Sequence, residues 1–151
     1  MFVIVLFSLF LGAYSSQKLF CATQNNRLYV RDPVEYDISW THVGHANNLV
    51  GMTSLNGKLF CATTSNKLYV REPVEYNIAW THIGHANGLT SMATLDGKLY
   101  CTTSSNKLYV RDPVESNIGW THIGHANNVV AMAGVGLEEN LYIVLGVFGV
   151  I

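Results

Sequence analysis

Trp-Thr-His-Ile-Gly-His-Ala-Asn stands at residues 80–87 and again at 120–127, and once more with Val for Ile at 40–47. Two imidazoles so close together raise the question of a metal, because neutral histidine is the commonest metal ligand. On a regular strand, however, residues three apart face opposite ways, so His42 and His45 cannot chelate one ion unless the strand ends at Gly44. No carboxylate or thiol lies within a few residues of any pair. The expectation is therefore no metal and no cofactor. The other chemistry open to such residues is sugar recognition, in which planar donors and acceptors bond paired hydroxyls while an aromatic face covers the C–H side of the ring. The candidate ligand-binding set is His45, Asn47, His85, Asn87, His125 and Asn127, with Arg31, Arg71 and Arg111 at the ends of the preceding strands.

Each of these residues also has a purely structural reading. Trp40, Trp80 and Trp120 can serve as packing anchors whose indole N–H bonds to backbone, with His42, His82 and His122 as strand residues beside them. Asn47 and its copies can hold an unusual backbone angle in a turn. Arg31 can pair with a neighbouring acid such as Glu35. Catalysis finds little footing: there is no nucleophile elbow, no phosphate-cradling glycine loop and no evident carboxylate pair. Repetition also argues against an enzyme, whose active site is a single asymmetric constellation, and suits repeated weak binding gathered into avidity.

The elements that must position these residues follow from the period. Trp40, Trp80 and Trp120 are 40 residues apart, as are Cys21, Cys61 and Cys101, and Pro33, Pro73 and Pro113, which marks a repeat architecture. Residues 57–96 and 97–136 differ at 13 of 40 positions. Copies so close point to recent duplication, so sameness between them says little about need. Within 57–96, "KLFCAT" and "KLYVR" are strand-like runs joined by the turn "TSN". "IAWTHIG" and "LTSMATL" read as two more strands separated by "HANG", and "LDG" or "LNG" makes a tight turn into the next repeat. The expected domains are 17–56, 57–96 and 97–136, each four antiparallel strands.

Alternation puts Leu59 and Cys61 on one face and Phe60 and Ala62 on the other, so both faces are apolar and such a sheet must lie between two others. Sheets repeated radially meet that demand, and the fold class expected is all-β, a β-propeller of four-stranded antiparallel blades with 40-residue repeats. Three repeats do not close a ring, so the propeller would be incomplete or closed by oligomerisation, with a homo-oligomer as the partner that completes it. Residues 137–151, "LEENLYIVLGVFGVI", read as the degenerate start of a fourth repeat.

The order "W-T-H-I-G-H-A-N", then "D-G-K-L-Y-C", then "S-N-K-L-Y-V-R" resembles the tectonin or tachylectin-type propeller repeat, over residues 17–136. The Gly-His and Trp-Asp pairs of WD-type propellers are absent. The resemblance implies a lectin of innate defence that binds glycans or glycoconjugates, with one site per blade or blade junction. Others of the class are protein-interaction platforms, and a non-catalytic interaction propeller or a truncated propeller fragment is the alternative.

Composition sets outer limits. A formal charge of −1 in 151 residues, with 49% hydrophobic and 13% charged, fits a folded chain and gives no basic stripe for nucleic acid. Residues 1–16, "MFVIVLFSLFLGAYSS", are apolar and then small, the pattern of a secretory signal peptide without a basic n-region. The expectation is a secreted protein, with a short membrane anchor or a misread start as alternatives. The membrane would be met only through an uncleaved leader, and the protein would be cytoplasmic if the leader is an artefact. Three cysteines at equivalent sites of sheets stacked about 10 Å apart lie beyond disulfide reach and read as buried small hydrophobes.

Overall fold

The structure, a computed structural model, describes residues 18–136. The leader at 1–16 and the degenerate repeat at 137–151 lie outside the described residues. Among those described, all regular structure is β-strand, as the alternating apolar pattern predicts. The chain divides into two compact units between Asn47 and Asn48. In the first, β1 (Leu19–Ala22), β2 (Arg27–Arg31) and β3 (Thr41–His45) form an antiparallel three-stranded sheet in that order. The second holds two antiparallel four-stranded sheets. One is β4 (Leu49–Leu55), β5 (Lys58–Thr63), β6 (Lys67–Arg71) and β7 (Thr81–His85), and the other is β8 (Leu89–Leu95), β9 (Lys98–Thr103), β10 (Lys107–Arg111) and β11 (Thr121–His125).

These sheets are out of phase with repeats that begin at Gly57 and Gly97, since each four-stranded sheet begins at Leu49 or Leu89. The tight turns Asn56–Gly57 and Asp96–Gly97, with φ of 50° and 73° and of 47° and 76°, are two-residue hairpins inside a sheet, the geometry that Asn-Gly and Asp-Gly favour. The segments after His45 and His85 are not hairpins. Ala86 to Gly88 carries the chain from the last strand of one sheet to the first strand of the next, so "LTSMATL" opens the third sheet instead of closing the second.

The core of the second unit is built where its two sheets meet. Phe60, Ala62, Leu68 and Ile83 of the second sheet pack in one cluster with Ala86 of the connecting loop and Leu89, Met92, Leu99 and Cys101 of the third. Leu59, Phe60, Cys61 and Ala62 are all buried, as a sheet apolar on both faces requires. Side by side, β4 and β8 are tied by Thr94 Oγ1, which donates to the Ser54 carbonyl at 2.9 Å. Gly51 faces Leu89 so closely that a Cβ would lie 3.0 Å from its methyl carbon. The three cysteines are free, with Cys61 and Cys101 buried, and burial pushes both thiols up to about 12.

Candidate functional site

The HAN loop is fixed from the hairpin turn of its own sheet. Asn66, in the left-handed region at φ 61°, accepts the Ala86 N–H on its carbonyl at 2.9 Å and the Gly88 N–H on its side-chain oxygen at 2.9 Å. Asn106 does the same for Ala126 and Asn128, at 3.0 and 3.2 Å. The positive φ of these loops falls on Asn48, Gly88 and Asn128. The strained backbone position is thus one residue beyond the Asn47, Asn87 and Asn127 expected to carry it. Those three are exposed, and no backbone strain accounts for them.

The two histidines of each repeat are neighbours on one face, against the parity expected of a regular strand. The ladder pairs Leu68 with Gly84 and Tyr69 with His82, and the register shift between them leaves Ile83 as an extra residue in β7. That β-bulge reverses the alternation. His82 and His85 stack edge to face with ring centroids 5.8 Å apart, and His82 meets Tyr69 at 5.4 Å. Tyr29, His42 and His45 repeat the arrangement at 5.3 and 5.7 Å, and Tyr109, His122 and His125 at 5.3 and 5.8 Å. Two imidazoles form each set, and among the described residues no group of three or more His, Cys, Asp or Glu converges on a point that could hold a metal ion.

The arginines lie elsewhere from where their strand-end position suggests. Arg71 and Arg111 are each 1% exposed, so neither can meet a solute. Arg111 donates to the Ile83 carbonyl of the neighbouring sheet at 2.8 Å and to the Glu115 carbonyl of its own loop. Its guanidinium lies 5.9 Å from the centre of the Trp120 ring, and Arg71 lies 5.8 Å from that of Trp80. Burial holds both guanidinium groups below their ordinary values; for Arg111 the carbonyl acceptors and the ring offset that loss of water. Arg71 and Arg111 are therefore structural, and their place in the ligand-binding set is corrected. Half-buried Arg31 donates to the Glu35 backbone carbonyl at 2.6 Å. The carboxylate pairing in that region goes instead from Lys18 to Asp32, at 3.1 Å.

His85 and Asn87 come together with residues of the third sheet around a pocket of about 330 Å³. Its other lining residues are Ala86, Cys101, Thr103, Ser105, Tyr109 and Trp120. Trp120 does what the packing-anchor reading expects: its indole N–H donates to the His85 carbonyl at 2.7 Å, and the residue lines the cavity. Thr103 and Ser105 share a hydrogen bond at 2.9 Å. The pocket thus offers two aromatic rings, an imidazole, a carboxamide and two hydroxyls, at the lower end of the usual size range for ligand sites. Tyr109, Thr103 and Ser105 were not singled out from the sequence. Their signal was there, since Tyr29, Tyr69 and Tyr109 recur at 40 residues, as do Thr63 with Thr103 and Ser65 with Ser105. His45 and Asn47 are exposed at the end of the first sheet, and His125 and Asn127 at the end of the third.

No family model and no curated protein matches the chain. Among solved structures, the crystal structure of the N-terminal domain of Nup159 is similar at 12% identity and a TM-score of 0.49, covering 73% of this chain. The chain spans 29% of that structure's length.

Proposed function

We propose that this chain is a non-catalytic, lectin-like glycan-binding protein, built as a tectonin-type β-propeller in which each four-stranded sheet is a blade of a 40-residue repeat. The observation that carries the reading is the pocket between the second and third sheets, with Trp120 and Tyr109 as apolar walls and Asn87, His85, Thr103 and Ser105 as polar groups. A pyranose presents the same division: C–H bonds on one face and paired hydroxyls at the rim. A volume near 330 Å³ suits one or two sugar rings and not a folded partner.

Titration calorimetry of the full chain with a panel of neutral and N-acetylated monosaccharides, followed by a glycan array, tests this. Binding is expected in the millimolar range typical of a single shallow sugar site, and Asn87→Ala, which leaves the loop clamp on Asn66 untouched, should weaken it at least tenfold. A chain that binds no glycan, or one whose binding ignores Asn87→Ala and Trp120→Phe alike, rejects the reading. The second reading, a protein-interaction propeller, is favoured by the exposed rings of Tyr36 and Tyr76, 97% and 70% open to solvent, in the loops after Pro33 and Pro73. A partner captured through Tyr36 and Tyr76, with no sugar competing, would select it.

A further inference from the structure

The junction between the second and third sheets shows what one sheet needs from the next. Ile83, the bulged residue of β7, is 7% exposed. Its carbonyl accepts from Arg111 at 2.8 Å and from the Asn117 N–H at 3.1 Å, while the His85 carbonyl accepts from Trp120. Forty residues on, Ile123 holds the same place in β11 and is 48% exposed. Among the described residues no counterpart of Arg111, Asn117 or Trp120 reaches Ile123 or His125.

The missing set is present on the first sheet. Arg31, Asp37 and Trp40 stand 80 residues before Arg111, Asn117 and Trp120. Arg31 donates to the Glu35 carbonyl as Arg111 donates to that of Glu115. Asp37 and Asn117 share the left-handed conformation, φ 61° and 62°, and Trp40 is 39% exposed.

A second observation is independent of these. In the two four-stranded sheets, β5 and β9 are each paired on their outer side by β4 and β8, but the first sheet has only three strands and β1 has no such partner among the described residues. Residues 129–135, "VVAMAGV", follow β8 at the repeat spacing. Gly134 of this segment lies against β8, so that a Cβ there would fall on the Thr94 carbonyl. Residues 129–135 pair with no strand among the described residues, and Val130 and Val135 are 89% and 87% exposed.

We infer that a second copy of this chain docks head to tail on the third sheet. Its β1 pairs with residues 129–135, its Arg31 and Asp37 N–H meet the Ile123 carbonyl, and its Trp40 meets the His125 carbonyl. Two copies joined twice in this way leave neither face uncovered, which closes the assembly at a pair. The inference rests on the propeller reading and not on sugar binding.

Sedimentation velocity of the full chain at tens of micromolar tests it. The wild-type protein should sediment as two copies. Ile123→Asp and Trp40→Ala, each retaining its β-sheet circular dichroism, should sediment as one. An equimolar mixture of the two variants should recover a pair of copies, because the intact first sheet of one variant then meets the intact third sheet of the other at one of the two junctions. A wild-type chain that sediments as one copy, a pair that survives both substitutions, or a mixture that stays monomeric overturns the proposal. Arg111→Ala tests the sheet-on-sheet reading separately through its own stability: a large loss there beside a monomeric wild type leaves the propeller standing and ends the pairing.

Discussion

The second and third sheets are near copies in sequence and differ in what lies beyond them. Ile83 and Ile123 occupy the same bulge in strands of identical sequence, THIGH, yet one is buried and the other half open. Ala86 and Ala126 differ in the same direction. Gly84 has φ 149° and sits under the Arg111 guanidinium, whereas Gly124 has open space where a Cβ would go. Burial, backbone strain and the pocket are therefore properties of the junction and not of the repeat. The same octapeptide in the second and third sheets therefore has two different surroundings, because only at the second does Arg111 of the next sheet reach across.

Substitutions at the junction should break this contrast most sharply. Arg111→Ala removes a buried donor and leaves the Ile83 and Glu115 carbonyls short of a partner, so urea denaturation should show a loss of about 3 kcal/mol. Gly84→Ala comes next. Its Cβ would stand 2.9 Å from Arg111 Nη1 at a φ of 149°, and the expected cost is about 2 kcal/mol. Gly124→Ala, in the same measurement, should cost less than about 0.5 kcal/mol.

The buried thiols test where the two sheets should behave alike. Cys61 and Cys101 are both pushed from 9.0 up to about 12 by burial, so the folded state favours the protonated thiol. Stability is intact below the unfolded thiol value and falls as pH rises towards 12, by about 1.4 kcal/mol per pH unit for each thiol. Denaturation midpoints at pH 9 and pH 10 should show this loss, and Cys61→Ala and Cys101→Ala should each remove about half of it. A smaller loss than at Arg111 or Gly84 is expected for Trp120→Phe, which keeps a ring on the pocket wall but gives up the hydrogen bond to His85. It should cost about 1 kcal/mol of stability, while weakening any sugar bound in the pocket by more than its effect on folding.

The sequence announced the strands plainly and the sites partly. "KLFCAT" and "KLYVR" form the hairpins their turn residues require, and Leu59 to Ala62 are buried on both faces as their alternation demands. The link from β7 to β8 was less legible, because Asn and Gly serve a sheet-to-sheet crossing as well as a hairpin, and the local text "HANG" is the same for either. Parity misled at His82 and His85 because a bulge adds one residue without any mark in composition. The arginines misled for another reason. A strand-end Arg beside Asp or Glu looks solvated, but its length lets Arg111 pass under Trp120 to a carbonyl on the neighbouring sheet, a partner 28 residues away that no local window contains.

The clamp on the HAN loop has one more effect. Asn66 and Asn106 sit in the turn of the same hairpin whose sheet carries the loop they hold, so the fixture that presents Asn87 or Asn127 travels with the segment that encodes it. A gene that lengthens by copying this segment inherits a finished display post each time, with nothing to be rebuilt around it.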